Sequence, residues 1–169
     1  MPNRIFSDLF LDSLSKYSND QKWLDSIFSG IKTIANTHVG NVGQSFIEKI
    51  CRYYGYSIEI PIDRGQWDIK ISNITFELKT ATEDTNNSFQ FNHIRYHRQY
   101  QAVMCLGVSP NDLYFNFWSK ADLLTEKAGR LVSMEKGANA SYKLTKRKND
   151  LYIIDEFDLR LSEFIENFK

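Results

Sequence analysis

Apolar residues recur at three- and four-residue steps through residues 4–36. Ile5, Leu9, Phe10, Leu14 and Tyr17 come first, then Trp23, Leu24, Ile27, Phe28, Ile31 and Ile34. That spacing predicts helix, and Ser18-Asn19-Asp20 divides it into two helices and caps the second. Residues 38–43, with glycines at 40 and 43, read as a flexible junction. A further helix is predicted over 44–54, with Phe46, Ile47, Ile50, Cys51 and Tyr54 on its apolar face and Gly55 as its stop. The period then changes. Residues 56–60 read as a strand ended by Pro61, followed by a turn at Asp63-Arg64-Gly65. Residues 66–79 alternate polar and apolar on either side of Ser72-Asn73, a pair suited to a two-residue hairpin turn.

Beyond the hairpin, 82–88 is a polar loop and 89–100 reads as helix, which would set His93 and His97 one turn apart. The continuous apolar run 102–108 is a buried central strand. A turn at 109–112 leads to a strand over 113–118, and Ser119 caps a short helix to 126. The stretch 137–149 is polar, 151–154 is a short strand, and 158–168 is an amphipathic helix. The expected fold class is α/β, a mixed β-sheet flanked by helices, with an N-terminal helical region. The chain of 169 residues suits one domain: a helical extension over 1–36, a core over 43–118, and a C-terminal part over 119–169.

If Ser72 and Asn73 form the turn, Asp68 faces Glu77. Asp68, Glu77 and Lys79 then share one side, while Ile69, Ile71, Ile74, Phe76 and Leu78 share the other. Like charges set opposite each other weaken a sheet by roughly 0.2–1 kcal/mol. A divalent cation held between them would turn repulsion into ligation. The bland reading is a solvated hairpin face with a cross-strand ion pair supplied by Lys70.

A helix bearing Glu48, then Gln66-Trp67-Asp68, then Glu77-Leu78-Lys79, resembles the PD-(D/E)xK nuclease superfamily, which includes many type II restriction endonucleases. The likeness extends over residues 43–118, and Trp67 stands where the motif's name has proline. It implies a restriction-endonuclease-like core in which Asp68, Glu77 and the Leu78 carbonyl ligate Mg²⁺, with Mn²⁺ able to substitute. Lys79 would orient or help deprotonate the attacking water. Glu48 would complete the site as in some members, or stand as an ordinary exposed glutamate.

Composition changes this picture only in part. Net charge is zero with a sequence pI of about 6.8, which by itself does not indicate nucleic acid. The charge is unevenly spread, however. Between 120 and 148, eight Lys and Arg face only Asp122, Glu126 and Glu135, and the run Lys143, Lys146, Arg147 and Lys148 suits phosphates. Gln90, His93, Arg95 and Arg98, interleaved with Tyr96 and Tyr100, are further candidates for DNA contact, or for a dimer interface. Two cysteines and three scattered histidines offer no zinc spacing, and Cys51 and Cys105 read as reduced core thiols. No apolar run spans a membrane and no targeting signal is present, so a cytoplasmic location is expected.

The function these features imply is a Mg²⁺-dependent endonuclease of double-stranded DNA, a type II restriction enzyme working as a homodimer. The alternatives are a structure-specific resolvase or repair nuclease of the same superfamily, a ribonuclease, and a non-catalytic DNA-binding or interaction protein.

Overall fold

A computed structural model describes residues 4–15, 20–63 and 65–169. The expected break at Ser18-Asn19 and the residue Arg64 lie outside these. The elements run α1 (Arg4–Ser15), α2 (Asn36–Tyr53), β1 (Ile58–Glu59), β2 (Ile69–Ile71), β3 (Ile74–Thr82), β4 (Ser88–Ile94), β5 (Ala102–Val108), β6 (Leu113–Ser119), α3 (Lys120–Leu124), β7 (Leu131–Glu135), β8 (Ser141–Arg147), β9 (Tyr152–Ile153) and α4 (Phe157–Asn167), with short 3₁₀ turns between some of them. Two sheets form. The larger is mixed, in the order β1-β2-β3-β5-β6-β9, and the smaller is antiparallel, in the order β4-β8-β7.

Alternation along β3 and β5 divides the core in two. Phe76 and Met104 point toward α2 and α4 and join Ile47, Cys51, Ile69, Ile71, Phe115, Phe157 and Leu161. Ala81, Val103 and Cys105 point the other way, against Phe89, Phe91 and Leu144 of the second sheet. The molecule is therefore layered as helices, central sheet and second sheet. This is the mixed α/β architecture that the element order predicted, with an additional layer. β5 is buried along its whole length because both faces are covered.

Several boundaries moved. Residues 20–34 form two short 3₁₀ turns, Asp20–Trp23 and Ser29–Lys32, rather than a helix. Trp23, Phe28 and Ile31 instead plug the end of the central sheet around Leu106 and Val108, and the Ser26 hydroxyl donates to the Pro110 carbonyl. The supposed junction at 38–43 is the first half of α2. One of its glycines serves packing: a Cβ at Gly43 would overlap the Thr80 hydroxyl and come within 2.8 Å of the Thr80 Cβ, whereas one at Gly40 would meet nothing within 4 Å. The predicted helix over 89–100 is strand β4 through Ile94, with Phe89 and Phe91 inward and Gln90 and Asn92 outward, so His93 and His97 do not share a helical turn. The polar stretch 137–149 holds strand β8.

The two thiols are free and buried, and burial pushes Cys51 up to about 12. Among the described residues no helix is long and apolar enough to cross a membrane.

The contact between α2 and β3 yields a first prediction. Alanine at Gly43 gains up to about 1 kcal/mol of helix propensity, but steric overlap at a packed helix–strand contact costs about 1–3 kcal/mol. Gly43→Ala should therefore lower the denaturant midpoint, and Thr80→Ala in the same chain should recover part of the loss. An unchanged midpoint in Gly43→Ala contradicts the close approach.

Candidate active site

The hairpin forms as its alternation predicted. Ile69 pairs with Phe76, Lys70 with Thr75 and Ile71 with Ile74. Ser72 and Asn73 both take positive φ, 45° and 75°, as a type I′ turn demands. Lys70 pairs with Glu59, at 3.3 Å, rather than with an acid of the hairpin.

At Asp68 the ladder changes character. The Asp68 N–H donates to the Phe76 carbonyl at 2.8 Å. The Asp68 carboxylate accepts the Leu78 N–H at 2.7 Å, so a side chain stands in for the next strand partner. The half-buried Asp68 is thereby fixed against the backbone of the residue between Glu77 and Lys79. Beyond this point β3 has no paired neighbour on the β2 side, and its edge opens into a polar cleft.

Glu77 faces the second sheet and is completely buried. The Lys79 ammonium lies 2.7 Å from Glu77 Oε1 and the Arg98 guanidinium 3.6 Å from the same oxygen. Neither contact has hydrogen-bond geometry, so both Glu77 oxygens lack a hydrogen bond, as does the buried Tyr100 hydroxyl. Burial, then the charge of Glu77, pushes the Tyr100 hydroxyl above its ordinary value. Arg98 is carried by a loop that is tied down at several points. The Lys120 ammonium donates to its carbonyl, the Gln99 N–H donates to Gln66, and the Gln101 N–H donates to the Thr75 carbonyl. Lys120 also lies over the Tyr100 ring.

The donor set suits a hard divalent cation: two carboxylates around one backbone unit, with unsatisfied buried oxygens. Among the described residues, no group of three or more His, Cys, Asp and Glu is arranged to hold a metal. Any such site would therefore rest on Asp68, Glu77 and the Leu78 carbonyl. Glu48 accepts a hydrogen bond from Gln44 at 3.3 Å, and Gln44 shares a small pocket with Asp68 and Trp67. The helix glutamate thus stands one side chain away from the hairpin acid.

The other candidates separate by face. Lys146 turns inward over Trp118, with Nζ 5.1 Å from the ring centre. Lys148 pairs with Glu83 at 3.2 Å and lies over Tyr114. Arg95 and His93 both approach Glu135, at 3.6 Å. Gln90 and Arg147 are exposed and Lys143 half-buried.

Within 82–88, read as a polar loop, Glu83 is buried and also faces Lys22 at 3.5 Å. Asp84 organises the loop by accepting from the Asn86 N–H, the Ser88 N–H and hydroxyl, and the Gln90 amide. The burial of Tyr100 and Glu83 went unrecognised because no local pattern marks a group that is buried by residues far away in sequence.

No protein-family model matches the chain, and no curated protein matches it. Among solved structures it is similar to a bacterial homing endonuclease, I-Ssp6803I. The identity is 10%, the TM-score is 0.46, and the match covers 78% of this chain and 91% of that one. So distant a likeness carries no argument about this chain.

Asp84 gives a pH prediction. Burial acts to raise its carboxyl, but the hydrogen bonds from Ser88, Gln90 and Asn86 outweigh burial and leave it below its ordinary value. A depressed carboxylate contributes stability that is present above its unfolded value, near 3.9, and is lost as pH falls through the lower folded value. Asp84→Asn should therefore be less stable at neutral pH, with a melting temperature that falls less on acidification than the wild type's. Parallel melting curves from pH 7 to pH 3 contradict this.

Proposed function

We propose that the chain is a metal-dependent endonuclease hydrolysing phosphodiester bonds in double-stranded DNA, of the type II restriction kind, acting as a homodimer. The observation that carries this reading is Glu77, a carboxylate wholly removed from water whose oxygens have charge nearby but no hydrogen bond. One residue further on, the backbone is gripped by the second acid, Asp68.

In this reading Asp68, Glu77 and the Leu78 carbonyl hold Mg²⁺ or Mn²⁺. When bound, the ion supplies positive charge for the reacting phosphate and lowers the pKa of a water. Lys79, largely shielded from solvent, bears on the water and on the charge developing on phosphate. Arg98 bears on the same Glu77 oxygen as Lys79. Supporting the homodimer is α1, whose Phe6, Leu9, Phe10 and Leu11 are each about 60% exposed or more. That is an apolar face of the kind found at interfaces.

A second reading keeps Glu77–Lys79 as a structural buried ion pair in a non-catalytic DNA-binding protein, and the 2.7 Å contact is equally what that reading requires.

Plasmid digestion separates the two. Wild type should give discrete fragments in Mg²⁺ or Mn²⁺ and none in EDTA. Asp68→Asn keeps an oxygen for the Leu78 N–H while removing the charge. It should lose cleavage by on the order of a thousandfold or more, equivalent to about 4 kcal/mol of barrier, with a melting temperature close to wild type. Light scattering should give a mass above that of one chain. Wild type that cuts nothing in either metal defeats the nuclease reading, and a single-chain mass defeats the dimer.

A further inference from the structure

Strands β4 and β8 pair antiparallel, with Ser88 opposite Arg147, Phe89 opposite Lys146, Gln90 opposite Thr145 and Phe91 opposite Leu144. The inward positions, Phe89, Phe91 and Leu144, are completely buried. The outward positions are Gln90 and Asn92 on β4, and Lys143, Thr145 and Arg147 on β8. All are exposed except Lys143, which is half-buried. This row holds amides, a hydroxyl and two cations, and no carboxylate.

We infer that this outward face is a base-reading ribbon that enters the major groove of duplex DNA. The inference rests on the reading of DNA as the substrate and assigns the residues that would give it sequence preference.

Dimensions fit. The row lies on the β4–β8 side of a three-stranded sheet, with β7 on the far side of β8, and the major groove that would take these two strands is about 12 Å wide. Outward side chains two residues apart on a strand stand roughly 6.6–7 Å apart, close to two base-pair steps of about 3.4 Å. Lys143, Thr145 and Arg147 thus span about four steps, the scale of a short half-site. Chemistry fits as well. Asn and Gln match adenine, and Arg and Lys match guanine. Gln90 is already oriented by its bond to Asp84 at 3.0 Å, which leaves its carbonyl oxygen and second N–H for a base edge.

Placement connects the ribbon to the reaction. Gln90, Asn92 and His93 form one wall of a polar cleft of about 470 Å³ whose other wall includes Leu78, Lys79, Thr80 and Thr82 of the open β3 edge. A duplex read by the ribbon would therefore lie against the hydrolytic residues. The strand also departs from its own best geometry at this point. Asn disfavours strands, and His93 takes φ of 58° at a register shift between Phe91 and Ile94. Such a bulge re-aims side chains near functional sites.

The test selects bound DNA from a duplex pool of randomised sequence, in EDTA so that nothing is cut, using the full chain and its Asn92→Ala, Arg147→Ala and Thr145→Val variants. Wild type should enrich one motif. Each variant should lose roughly five- to a hundredfold of the preference at one position while keeping the rest. Salt dependence on non-specific duplex should be unchanged for Asn92→Ala and slightly flatter for Arg147→Ala. Thr145→Val conserves shape and strand preference, so its result stands even where Asn92→Ala melts early. No motif from the wild type, or an identical motif from all variants, overturns the inference. A wild type that enriches a motif yet cuts no plasmid in either Mg²⁺ or Mn²⁺ overturns the nuclease reading and leaves the ribbon standing.

Discussion

An ionised carboxylate taken out of water loses several kcal/mol of hydration unless charge is returned to it at close range, and Glu77 is taken out entirely. The returned charge comes from Lys79, two positions along the same strand, and from Arg98, in the loop after β4. Much of the local structure serves that arrangement. The hairpin register sets which face of β3 looks toward the second sheet, and the loop is anchored through Gln66, Thr75 and Lys120. Two cations thus face one carboxylate, whose oxygens stay without hydrogen bonds.

The second constraint is where strand pairing ends. β2 stops at Ile69, and the Asp68 carboxylate takes the next backbone N–H. A longer β2 would have sealed the edge of β3. Because it ends there, the backbone from Leu78 to Thr82 borders a cleft walled by α2 and β4. The glycine-rich start of α2 helps shape that cleft, since Gly43 lets the helix sit against Thr80. The placing of the acids and the open edge are therefore consequences of one interrupted ladder.

The parts readable from sequence were those governed by neighbours in the chain. The Ser72-Asn73 turn, the register of Ile69 to Ile74, the wholly apolar β5, the Ser119 cap of α3 and the Gly55 stop all follow from local rules, and all are found. The parts that were missed depend on distant partners. Gly40 and Gly43 suggested a junction, but both lie within α2, and at Gly43 close contact with Thr80 accompanies the poor helix propensity. Residues 89–100 read as helix although Phe89 and Phe91 alternate with Gln90 and Asn92, and the second sheet went unseen with them. Of the site, the pairing of Glu77 with Lys79 followed from period two. The roles of Arg98, Tyr100 and Glu83 did not, because they arrive from separate loops.

The claim on which the account turns is that Asp68 and Glu77 together hold a divalent cation. Titrating the metal-free protein with Mn²⁺ and following the free-ion electron paramagnetic resonance signal measures this without any DNA. The account predicts saturable binding by the wild type that is lost in Asp68→Asn and in Glu77→Gln while both variants remain folded. Absence of binding in the wild type, or equal binding in all three proteins, would contradict it.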